Sequence, residues 1–146
     1  MADTYLPEGM PLPGYDPGSP DAGFWEACRR HELMVQRCAD CKTFQHTPEI
    51  ICHKCHSFNY EFVKTSGKGV VYSYMNSEYP VHPALKDRVP YNVVLVELPE
   101  AGNVRMVGNL VDAVYDEIYI GMPVEVVFED HPGAEVTLPL WKRADK

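Results

Sequence analysis

Nowhere in these 146 residues does a run approach the ~20 consecutive apolar residues needed to span a bilayer as a helix. The acidic, proline-bearing N-terminus also lacks the charged, apolar and small-residue regions of a secretory signal. The expectation is a soluble, cytoplasmic chain with no membrane contact. Basic residues are scarce: 13 Lys and Arg stand against 21 Asp and Glu, for a net charge of −8. The first 23 residues carry Asp3, Glu8, Asp16 and Asp21 but no Lys or Arg, and acids again outnumber bases beyond residue 65. A nucleic-acid binder needs a cationic face to displace phosphate counterions, and no large block provides one. Catalytic signatures are missing as well. There is no GxSxG, HExxH, glycine-rich phosphate loop or paired-carboxylate spacing, so no catalytic residue is assigned.

Apolar residues make up 45% and charged residues 23% of the chain, the balance of a globular protein. At this length ~68–70% of the unfolded surface can be buried, so a core forms without disulfides. The opening stretch, residues 1–22, is an arm punctuated by Pro7, Pro11, Pro13, Pro17 and Pro20. Proline removes donors and fixes φ, so the arm sustains neither helix nor ladder. It reads either as a floppy tail or as a strap that orders on a partner, with Tyr5, Leu6, Met10, Leu12 and Tyr15 as anchors. Residues 23–65 follow as a helix plus a cysteine-bearing hairpin. Ser19 or Asp21 could cap the helix, and Phe24, Ala27, Cys28 and His31 share one side, with Trp25 beside them. "LMVQRC" and "FNYEFVK" read as the outgoing and returning strands.

From residue 66 to 146 the texture is β. "GVVYSYMNS", "YNVVLVEL", "VRMVGNLV", "MPVEVVFED" and "EVTLPLW" are five strand-like runs, "PEAGN" is a hairpin loop and "YDEIYIGM" a turn or short helical piece. Five short strands in this span predict a small OB-like barrel or Greek key. The fold class expected is therefore mainly β: arm and helix, four-cysteine ribbon, five-stranded barrel.

The chemistry concentrates in "CADCKTFQHTPEIICHKC". Each CxxC turns two thiolates towards one point from a tight knuckle, and two knuckles supply the sulfur tetrahedron that zinc prefers. Cys38, Cys41, Cys52 and Cys55 are read as the ligands of a structural zinc ion. A rubredoxin-like iron is chemically allowed with the same four thiolates and would form in vitro. A thioredoxin-like redox pair would want its CxxC opening a helix within a βαβ unit, and two disulfides do not suit a cytoplasmic chain. Catalytic zinc needs an open position that four cysteines close; His53 or His56 could enter only by displacing one.

Other reactive groups are isolated. Cys28 and His31 are spaced like a nucleophile and base, but a cysteine buried on a helix face is the commoner arrangement. His82 and His131 adjoin prolines in loops, and Asp112, Asp116 and Glu117 read as a solvated face. Asn92 and Asn109 could bond local backbone or hold a ligand. Tyr72, Tyr74, Tyr79 and Tyr91 could stack a base, and they are equally good strand formers.

The order of parts resembles a known family over residues 23–141. "FWEACRRHELMVQRCADC", "CHKC", "SGKGVVYSY", "PYNVVLVEL" and "GMPVEVVFED" look like the acyl-CoA-associated zinc-ribbon/OB-fold family once called domain of unknown function thirty-five. Phe24 and Trp25 match its helix start, and the four cysteines match its rubredoxin-like ribbon. Ser66, Gly67 and Gly69 match the turn into the barrel, Pro90 and Tyr91 a central strand, and Gly121 and Met122 a late one. Two places depart: Lys42 stands where the family often has glycine, and "HTPE" (residues 46–49) where it has a Pro-Pro-Arg-like stretch. No phosphate or CoA contact is therefore carried over to this loop. The resemblance implies a non-catalytic subunit of a thiolase-superfamily enzyme, such as a thiolase or aldolase acting on C–C bonds of acyl-CoA thioesters. It implies a heterotetramer of two plus two, with acyl-CoA near the shared interface and the arm as a strap. A nucleic-acid-binding ribbon/OB module is the alternative.

Overall fold

A computed structural model describes residues 4–145. Helix α1 spans Ala22–Arg29 and buries Ala22, Phe24, Ala27 and Cys28. No side chain caps its start. The Asp21 carboxylate instead accepts the Trp25 indole N–H at 3.0 Å, tying the first turn to its own aromatic. His31 does not lie on the helix as its spacing suggested. It sits just beyond, at φ 59, while its N–H and that of Glu32 bond back to the Cys28 and Ala27 carbonyls. That pattern is a Schellman ending, which needs a left-handed residue where glycine is usual. The ring then stacks on Phe128 with centroids 5.2 Å apart and meets the Asp130 carboxylate at 2.9 Å.

Strands β1 (Met34–Cys38), β2 (Phe44–Gln45) and β3 (Tyr60–Lys64) form an antiparallel ribbon in the order β2-β1-β3. Helix and ribbon are pressed close: a Cβ on Gly23 would lie 2.5 Å from the Phe62 ring of β3. Within the ribbon, buried Gln36 takes both backbone groups of Glu49, donating to its carbonyl at 2.8 Å and accepting its N–H at 3.0 Å. Gln36 also accepts from Gln45 at 2.8 Å, so one amide fixes the loop carrying "HTPE".

The remaining strands are β4 (Lys68–Ser77), β5 (Tyr91–Leu98), β6 (Val104–Gly108), β7 (Pro123–His131) and β8 (Val136–Arg143). They form a curled antiparallel sheet ordered β6-β5-β4-β7-β8, the five strands expected of an OB-like half-barrel. In β5, residues 92, 94, 96 and 98 are buried and alternate with less buried neighbours, the period-2 pattern of a strand with one face on a core. An irregularity at Tyr72 bends β4 so that its start pairs with β7 and its remainder with β5. The curl is drawn together at a parallel bridge between Leu110 and Trp141, with backbone bonds of 2.8 and 3.0 Å. Gly108 makes room there, since a Cβ would lie 2.7 Å from the Trp141 ring. Asn92 and Asn109 serve the same seam. Asn92 bonds both backbone groups of Leu110, and Asn109 bonds the Asn92 carbonyl. These asparagines therefore hold backbone.

One core runs through the molecule, from Phe24, Cys28, Leu33 and Val35 to Val94, Met122 and Trp141. The arm lies on the chain's own barrel. Glu129 accepts the N–H groups of Tyr5 (2.5 Å) and Leu6 (3.2 Å), and Arg88 donates to the Tyr5 carbonyl at 3.1 Å.

Candidate metal centre and adjoining clefts

The two CxxC knuckles repeat one backbone pattern. Cys38 N–H donates to the Thr43 carbonyl and Cys52 N–H to that of Ser57, while Lys42 and His56 N–H groups return to the Cys38 and Cys52 carbonyls. Closing each knuckle takes a left-handed residue, and Lys42 (φ 63) and His56 (φ 64) fill those places. The glycine usual after the first knuckle is thus replaced by lysine at a position where glycine is easiest. Backbone N–H groups point at sulfur: Cys41 N at Cys38 Sγ, and Lys54 and Cys55 N at Cys52 Sγ, all at 3.4–3.5 Å. Across the pair, Asp40 accepts from Ser57 and Asn59.

This geometry gathers the four Sγ atoms within 4.8 Å of one another, with Cys38–Cys55 at 3.5 Å and Cys41–Cys52 at 3.6 Å. A disulfide needs ~2.05 Å, and all five cysteines are free thiols. A tetrahedron with metal–sulfur bonds of ~2.3 Å has edges of about 3.8 Å, so the set fits a zinc- or iron-sized ion. The thiols cannot all ionise alike. Hydrogen bonds from the Thr43 hydroxyl and backbone hold Cys41 at about 6, and the Cys41 backbone N–H lowers Cys38. Cys55 is pulled down by the Ser57 backbone, but its neighbouring sulfurs outweigh that and leave it at about 12. Crowded thiols of this kind are where a cation displaces protons. The nearby imidazoles stay outside: the His53 ring bonds Gln45 at 2.8 Å.

Two clefts flank the arm. One, of about 770 Å³, opens between Tyr5, Leu85, Tyr91, Leu110, Val114 and Tyr115. The other, of about 680 Å³, lies where α1, the 46–49 loop and the barrel meet. Tyr5, Leu6 and Asn109 line both, so the arm is the partition. His46 borders the second cleft, and its Nδ1 is the one fully buried side-chain nitrogen or oxygen without a hydrogen-bond partner among the described residues. Burial pushes His46 down from its ordinary 6.5 to about 4. Between those values the unfolded chain binds the extra proton, so this group's contribution to stability falls as pH falls. Wild type should lose about 2 kcal/mol more than a His46→Phe chain between pH 7.5 and 5.0. Urea unfolding at both pH values checks it, and equal losses would contradict it.

The other candidate residues disperse. Cys28 is fully buried and pushed up to about 12, and His31 has turned to Asp130, so the two form no dyad. His82 accepts the Ala84 N–H at a short turn, and His131 pairs with Glu129 at 2.8 Å. Asp112 and Glu117 are not simply solvated, since Arg143 donates to both. Tyr72 already carries the Arg105 guanidinium 3.7 Å from its ring centre, and Tyr74 packs against the core beside Tyr115.

Two family models match in tandem: the rubredoxin-like zinc ribbon domain of ChsH2 over residues 25–61 and the C-terminal OB-fold domain of ChsH2 over residues 62–129. A DUF35 domain-containing scaffold protein of Methanocaldococcus jannaschii is 40% identical over 103 residues, covering 68% of this chain and 69% of that protein. The chain belongs to the DUF35 family. Among solved structures, a chain of the Ltp2-ChsH2(DUF35) aldolase superposes with a TM-score of 0.78 at 41% identity, over 91% of this chain and 99% of that one. A probable enoyl-CoA hydratase alpha subunit of Thermomonospora curvata is 45% identical over 126 residues, which is 85% of this chain and 38% of that protein. The chain thus spans about two fifths of the length of that DUF35 relative. The nucleic-acid alternative finds no support among these relatives. Among the described residues no helix is long and apolar enough to cross a membrane.

Proposed function

We propose that this DUF35 chain is the non-catalytic accessory subunit of a thiolase-superfamily enzyme, a thiolase or aldolase, that makes or breaks C–C bonds in acyl-CoA thioesters. The observation that carries this is the match to the ChsH2(DUF35)-type chain of an aldolase complex, which extends over 99% of that chain. The partner supplies the nucleophile or base. This subunit stabilises the complex and helps shape the acyl-CoA site where the two meet, in a heterotetramer of two plus two. In this reading Cys38, Cys41, Cys52 and Cys55 hold one structural zinc, which iron can replace in vitro. Four thiolates leave the ion no open position, so its role is to fix the ribbon against α1 and the barrel. Units 1–22, 23–65 and 66–146 act as strap, ribbon and barrel.

The test is co-expression with the thiolase-like subunit encoded beside it. Light scattering should give a two-plus-two assembly, and thioester C–C chemistry should appear only when both chains are present. Turnover by this chain alone, or failure of the two to associate, would overturn the reading.

A further inference from the structure

The second cleft has a chemical bias of its own. Its volume of about 680 Å³ is that of a small-molecule site. Phe24, Trp25, Val93, Val107, Leu138 and Leu140 give it apolar walls. No Lys or Arg lines it, and its two charged residues are acids, Asp21 and Glu49. Asp21 is already engaged by the Trp25 indole and the Ser19 hydroxyl. An anion entering here would meet no countercharge and would lose its hydration, a cost of several kcal/mol or more.

His46 adds the one directional element. Its ring leans on Phe24, with centroids 5.4 Å apart, and borders the cleft. Nδ1 is buried without a partner, and His46 makes no hydrogen bond through Nε2. An orphaned buried N–H costs more than an orphaned lone pair, which places the proton of the neutral ring on Nε2, the nitrogen left facing the cleft. The loop cannot easily swing the ring away, because Gln36 holds Glu49 by both backbone groups.

We propose that this cleft is a binding site for an uncharged apolar group carrying one oxygen acceptor, a ketone or amide carbonyl, which takes a hydrogen bond from His46 Nε2–H. Phosphates and carboxylates are excluded from it. The site is complete within this chain and does not depend on the identity of any partner, so it stands or falls separately from the assembly proposed above.

The full chain titrated with the neutral fluorescent ketone 6-propionyl-2-dimethylaminonaphthalene tests this. One saturable site with blue-shifted emission is expected, together with a shift of the His46 Nε2 resonance. The matching 6-dimethylamino-2-naphthoate should bind at least tenfold more weakly. His46→Phe keeps the apolar wall but removes the donor, and should weaken the ketone about 5–10-fold, the size of one neutral hydrogen bond. Val107→Arg, at a residue 73% exposed, places a cation at the mouth and should instead improve the naphthoate relative to the ketone. If His46→Phe does not fold, the His46 shift in the wild-type chain and the Val107→Arg reversal decide. No saturable site, an unmoved His46 resonance, or a carboxylate that binds as well as the ketone would overturn the proposal.

Discussion

A Cys52→Ser chain is expected to purify without its metal and with residues 33–64 unstructured. Cys52 is buried, and its sulfur receives two backbone N–H groups besides facing Cys41. A serine hydroxyl is a poor ligand at a site that selects thiolates. Structural zinc contributes ~10–16 kcal/mol to ordering a small module, more than a three-stranded ribbon recovers from its own packing. Damage would not stop at the ribbon, because Leu33 and Val35 belong to the core shared with the barrel. Metal content together with amide exchange in β1 and β3 reads the outcome. A variant that keeps one equivalent of zinc and protected β1 amides would remove Cys52 from the ligand set.

Gly69→Ala should be the most damaging single-methyl change in the barrel. Gly69 closes the SGxG turn at the start of β4, where β5 crosses closely. A Cβ there would lie 2.5 Å from Val96 Cγ1, 2.9 Å from the Glu97 carbonyl and 3.0 Å from Leu98 Cδ2. Two of these atoms belong to fully buried side chains, and the third is backbone, so none can swing aside. Overpacking of a core costs ~1–3 kcal/mol, and a clash with backbone puts this case at about 3 kcal/mol or above. Gly133→Ala is the control, since a Cβ at that glycine meets nothing within 4 Å. Urea midpoints should separate the two variants widely. Equal midpoints would mean that β4 and β5 can slide apart without cost.

The period-2 runs and the doubled CxxC were legible because each follows from local chemistry: alternation marks a half-buried strand, and thiolate spacing marks a knuckle. The five barrel strands fell within a few residues of where alternation put them. What stayed hidden were places where tertiary structure overrides a residue's habit. His31 fits the helical spacing but ends the helix in a left-handed conformation, and Lys42 and His56 do the same for the knuckles. Three non-glycine residues at such positions give no composition signal, although the missing glycine at Lys42 was a trace of one. Gln36 looked like an ordinary polar residue of a strand, yet it is 1% exposed and organises the 46–49 loop. The clefts arise from docking of the arm, the helix and the barrel, which no single segment announces.

The double pairing of β4 also has a kinetic consequence. The hairpins β5–β6 and β7–β8 close over short turns, so their loop entropy is small. Joining Lys68 to Glu125 and drawing Leu110 to Trp141 requires long stretches of chain to be in place first. The seam at Trp141 is therefore made late on the way to the native state and is among the first things lost on leaving it. Interactions formed that late govern the lifetime of the folded chain more than the speed of its formation. The indole seated over Gly108 acts as a latch on the unfolding rate.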